Sequence, residues 1–190
     1  MDCFPEGFKA MVPAILILTF AWTLSGITGL LGSKEYVSSI FEGSAANLKI
    51  FLPAIVFAVA VGMSFSTGTS WGTFGILLPI VVAIGLDPEL LIISVSACLA
   101  GAVCGDHCSP ISDTTIMSST GAMCNHINHV ETQLPYALTV AAVSFIGYII
   151  AGFIRSAWII LPLSIIMLFG VLYIIKLITS NKAASSDVKA

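Results

Sequence analysis

Residues 50–86 place the tightest constraint on what this chain can fold into. Two apolar stretches, 50–63 and 74–86, flank a polar, glycine-rich run: Ser64-Phe65-Ser66-Thr67-Gly68-Thr69-Ser70-Trp71-Gly72-Thr73. About 14 helical residues reach about 21 Å, short of a hydrocarbon core of ~30 Å. A soluble core is excluded, because 57% of the chain is hydrophobic and only 9% is charged. Soluble domains average about 25% charged residues. The same figures exclude disorder, which needs low hydrophobicity and high charge. The solvent for this chain is therefore a bilayer. Non-helical backbone at membrane depth persists only where it is buried in protein or lines a cavity. The expectation for 50–86 is a re-entrant helical hairpin with its tip at 64–73. The alternative is one long, tilted helix kinked at its glycines.

The pattern repeats downstream. Residues 90–104 are apolar and then give way to Gly105-Asp106-His107-Cys108-Ser109-Pro110-Ile111-Ser112-Asp113-Thr114-Thr115, with a weaker apolar stretch at 116–123. This predicts one discontinuous crossing helix over 90–123, unwound near 106–115. Plain spans are expected at about 11–31, 134–154 and 157–178. Polar loops are expected at 32–49 and 124–133, and a mobile polar tail at 179–190. The fold class is thus an all-α polytopic membrane protein with three plain transmembrane helices, a re-entrant hairpin and a discontinuous helix. Paired broken segments of this kind point to the binding site of a transporter.

Asp106 and Asp113 carry the chemistry. Eight of the ten acidic residues lie in termini or connecting loops, whereas these two lie inside the second break. A charge at mid-bilayer costs at least ~2.5–3.5 kcal/mol, which marks it as functional. The competing arrangement is an extramembrane loop in which both aspartates are solvated. Ser109, Ser112, Thr114 and Thr115 add hydroxyl oxygens, and an unwound backbone adds carbonyls. Pro110 cannot continue a regular ladder. Ser66, Thr67, Gly68, Thr69 and Ser70 form a similar set at the first break. Such oxygen-rich breaks suit a small hard cation. A desolvated carboxylate with a like-charged neighbour also favours its proton, so one group can hold either ion. The expected cargo is Na⁺ held by Asp113 and Asp106, exchanged for H⁺, with no resident cofactor.

Other classes find little support. Seven basic residues and a net charge of −3 give no nucleic-acid surface. Asp2 and Glu6 beside Lys9 make no basic signal region. The five cysteines are scattered and do not form a disulfide framework. Cys104, Asp106, His107 and Cys108 cluster, but they match no standard zinc spacing. His126 and His129 read as interfacial. No nucleophile elbow is present, so an enzyme is not expected.

The runs Gly68-Thr69-Ser70-Trp71-Gly72-Thr73-Phe74-Gly75 and 105–115 resemble the signature stretches of the NhaC-type Na⁺/H⁺ antiporter family. His129-Val130-Glu131-Thr132-Gln133-Leu134-Pro135-Tyr136-Ala137 is similar to that family's next stretch. The resemblance implies a multi-pass protein of the bacterial plasma (inner) membrane, within a wider ion-transporter superfamily built from inverted repeats. It covers only the C-terminal part of such proteins. It therefore implies a missing N-terminal repeat, or a second copy of this chain, as partner within the lipid bilayer. It also leaves two alternatives: a Na⁺- or H⁺-coupled organic anion or amino acid exchanger, such as malate for lactate, and a truncated fragment that transports nothing.

Overall fold

The computed structural model describes residues 46–187 continuously, with side chains over 49–179, and isolated positions between 5 and 31. Those isolated positions are helical from Val12 to Leu30. The rest of the expected span 11–31 and most of the loop 32–49 lie outside the described residues. The described segment folds as α1 (Ala46–Thr67), α2 (Ser70–Ala83), α3 (Pro88–Cys108), α4 (Asp113–Gly121), α5 (His126–Ile154) and α6 (Ala157–Asp187). No strand occurs among the described residues. Four of these helices are long and apolar enough to cross a membrane: 19 residues at Lys49–Thr67, 21 at Pro88–Cys108, 29 at His126–Ile154 and 23 at Ala157–Thr179.

The helices are longer and the breaks narrower than expected. The first apolar arm runs through Ser64 to Thr67, because Ser66 and Thr67 turn their hydroxyls back onto the Gly62 and Met63 carbonyls. Only Gly68 and Thr69 separate α1 from α2. Likewise α3 continues through Gly105, Asp106 and His107 to Cys108, leaving Ser109 to Ser112 as the second break. Helices α2, at 14 residues, and α4, at 9, keep about the expected short lengths. Helix α5 begins in the expected loop 124–133, where the Asn125 side chain accepts from the Ile127 and Asn128 amides and caps the first turn. Helix α6 extends to Asp187, into the expected tail, and the last three residues lie outside the described segment.

Helices α1 and α2 form an antiparallel pair. The beginning of α1, at Lys49 and Ile50, shares one pocket with Gly85, Leu86 and Asp87, which follow α2. Leu52, Val56 and Ala60 of α1 pack with Leu77 and Val81 of α2, with Ile84, and with Cys98 and Ala102 of α3. Helix α3 starts at that same end and runs parallel to α1 at very close range. A Cβ at Gly101 would lie 2.5 Å from the Phe57 carbonyl oxygen and 2.9 Å from Ala60 Cβ. One at Gly105 would collide with the Val61 carbonyl. Two glycines four residues apart thus let the backbones touch, as small residues do between membrane helices. Helix α5 covers α1 in the same way at Gly152, where a Cβ would meet the Ile50 carbonyl.

Asp106 lies 19 residues beyond Asp87, so α3 carries it about 28 Å from the charged end. A helix standing upright would take it across most of a ~30 Å core. Helix α6 buries none of its spanning window within the protein. Its apolar side chains suit lipid rather than water.

Candidate functional site

The two breaks meet. Gly68, at the α1–α2 turn, has φ +66° and sits against Ile111 in the α3–α4 break. A Cβ there would stand 2.9 Å from both the Ile111 side chain and its carbonyl oxygen. The left-handed backbone and the close approach both require glycine. Ser109, which ends α3, donates its hydroxyl across to the Phe65 carbonyl of α1 at 2.7 Å. Ser64 of α1 donates to the Ala102 carbonyl of α3 at 2.6 Å. These cross-links pin both breaks to one level.

Asp106 occupies the inner side of this junction and is 5% exposed. Its Oδ1 accepts a 2.6 Å hydrogen bond from the Ser112 hydroxyl. Serine is a good N-cap, yet Ser112 leaves α4 without a side-chain cap. Its oxygen also lies 2.7 Å from Thr114 Oγ1. The ion pairs among the described residues are Lys9–Glu6 and Arg155–Asp87, so no basic group neutralises Asp106. Asp106 is thus a buried, serine-bound carboxylate without a cationic partner among the described residues.

Asp113 was expected to share this environment, but it is exposed in the first turn of α4. There the helix dipole favours its charge. Thr114 is exposed, whereas Thr115 is buried and donates to the His107 carbonyl at 3.3 Å. Ser66 and Thr67 are exposed and bonded within their own helix. Thr69 caps α2 by accepting from the Gly72 amide at 3.4 Å, and Ser70, the first residue of α2, is buried. Among the described residues no three His, Cys, Asp or Glu side chains gather to hold a metal. The cluster of Cys104, Asp106, His107 and Cys108 therefore does not close around an ion.

Helix α5 supplies two supports that the residue pattern did not reveal. His126 Nε2 lies 2.7 Å from the Pro110 carbonyl, and its Nδ1 lies 3.0 Å from Ser119 Oγ. Gln133 donates to the His107 carbonyl at 3.1 Å. Carbonyls left over where α3 ends are thereby satisfied by α5. Gln133 stands in a stretch noted for its family resemblance. His126 carried no signal beyond its position in a polar run.

Four apolar helices of spanning length among the described residues, with a buried carboxylate where two helix breaks touch, mark an integral membrane protein. The profile of the Na⁺/H⁺ antiporter family matches residues 1–153, and the chain belongs to that family. An uncharacterised protein of Haemophilus influenzae is 58% identical over 152 residues, 79% of this chain and 29% of its own length. An uncharacterised Na⁺/H⁺ antiporter of the same organism is 32% identical over 80% of this chain and 32% of its own. The malate-2H⁺/Na⁺-lactate antiporter of Bacillus subtilis is 31% identical over 78% of this chain and 31% of its own. The chain thus spans less than a third of the length of these relatives. No solved structure matches it.

Proposed function

We propose that this chain is the C-terminal part of an NhaC-type Na⁺/H⁺ antiporter of the bacterial plasma membrane. It would contribute one of two inverted repeats, with α1 and α2 as a re-entrant hairpin and α3 and α4 as a discontinuous helix. The observation that carries this reading is the buried Asp106 carboxylate, held by Ser112 at the point where the two breaks touch. In this reading Asp106 is the proton carrier. Asp113, exposed on the open side of the break, is the Na⁺ ligand, helped by Thr114 and break carbonyls. Na⁺ entering the site expels the proton by making the charged carboxylate the favoured form. Reprotonation after the site opens to the other side releases Na⁺. The remaining ligands would come from the N-terminal repeat or from a second copy, since such sites lie between repeats.

A second reading is exchange of an organic anion, and the name of the Bacillus relative favours it. Against it stands the position of Arg155, which is paired with Asp87 at the opposite end of the helices. Everted vesicles test both readings. They would carry the chain alone and the 58% identical Haemophilus relative with this chain fused in place of its matching segment. Na⁺-driven proton movement in the fusion, lost in Asp106→Asn, supports the antiporter. Proton movement that needs malate or lactate would replace it with the second reading.

A further inference from the structure

The end of the bundle remote from Asp106 holds a charged cavity that antiport does not use. It has a volume of about 250 Å³, lined by Lys49, Gly85, Asp87, Leu90 and Arg155 among others. That lies just below the usual ~300–1,000 Å³ of small-molecule pockets, so it suits a headgroup better than a larger ligand. Two cations face one anion here. Arg155 Nη1 is 3.5 Å from Asp87 Oδ2, and the aspartate is 75% exposed. Such a pair is weak and leaves most of the five guanidinium donors open. Lys49 has no ion-pair partner among the described residues. Asp87 turns to Arg155 instead of capping α3 with its side chain. Glu89 is a further acid in the first turn of that helix.

Directly along the helices lies an apolar groove of about 340 Å³ between α3, α5 and α6, lined by Ile92, Ile93, Ile160 and Leu161. Its walls begin about one turn along the chain from Leu90 and Arg155, at the same end of the bundle as the charged cavity. Trp158, 92% exposed, stands at the same end, where aromatic residues mark a membrane–water boundary.

We propose that this surface binds one anionic phospholipid, its phosphate between Lys49 and Arg155 and an acyl chain in the α3–α5–α6 groove. The cavity selects negative charge, and the groove selects a lipid over a free anion. Basic pockets between membrane helices recognise anionic headgroups in this way.

The test uses the full chain in phosphatidylcholine nanodiscs, titrated with phosphatidylglycerol, with bound lipid counted by native mass spectrometry. Phosphatidylglycerol is expected to be retained in preference to phosphatidylcholine. Lys49→Gln and Arg155→Gln should each weaken retention about fivefold, given about 1 kcal/mol per basic residue at the surface. Lys176→Gln, on α6 about 28 Å from its start, should leave retention unchanged. Arg155→Gln also breaks the Asp87 pair, so Lys49→Gln decides if the arginine variant misfolds. Equal retention of the two lipids would overturn the proposal. So would an equal loss in Lys176→Gln, or displacement of phosphatidylglycerol by inorganic phosphate alone.

Discussion

The Ser112 hydroxyl donates to Asp106 across the break between α3 and α4, at 2.6 Å and with both residues buried. This one bond explains why α4 starts without a side-chain cap and why a carboxylate without a cationic partner is tolerated there. Removing the donor should leave a buried acceptor unsatisfied, at a cost of about 1–3 kcal/mol. Ser112→Ala is expected to lower the thermal unfolding midpoint in detergent. Ser112→Ala on an Asp106→Asn background should cost less than it does alone, and a double-mutant cycle measures that coupling.

The α1–α3 contact predicts opposite effects for two glycine substitutions. Gly101→Ala drives a methyl against the Phe57 carbonyl and Ala60. It should destabilise by about 1–3 kcal/mol, as overpacking does. Gly62→Ala meets nothing within 4 Å and should gain up to about 1 kcal/mol of helix propensity. Thermal unfolding of the two variants side by side checks both signs.

Both breaks were legible in the sequence, but their edges were not. Serine, threonine and glycine run through 64–73 and 105–115, so both stretches look unwound throughout. Hydroxyls at Ser66 and Thr67 satisfy themselves on carbonyls within α1. Gly105 stays helical because α1 packs directly on it. Such packing overrides local propensity and leaves no trace in composition. Asp106 and Asp113 were expected in one environment for the same reason: only the fold decides that one faces Ser112 and the other is exposed. The part played by His126 depended on where α5 returns.

At the turn between α1 and α2, Gly68→Ala must hold a side chain at φ +66°, costing roughly 1–2 kcal/mol. It must also displace Ile111. Adding Ile111→Ala should restore only part of the stability, since the Ile111 carbonyl and the backbone strain remain. Unfolding midpoints of the single and double variants test this.

His126 ties α5 to Pro110 and Ser119. His126→Ala should free the break, removing about 1 kcal/mol of hydrogen bonding. Amide exchange at Ile111 and Ser112 is expected to quicken about fivefold, while the core of α3 around Cys98 keeps its protection. Native-state hydrogen exchange reads both regions in one experiment.

The central claim is that Asp106 is the group through which the proton passes. The most direct measurement is Na⁺-dependent proton movement in everted vesicles carrying the fusion with the Haemophilus relative, comparing wild type, Asp106→Asn and Asp113→Asn at matched expression. The account predicts exchange abolished in Asp106→Asn, and retained in Asp113→Asn with a higher Na⁺ requirement. Full exchange in Asp106→Asn would contradict it.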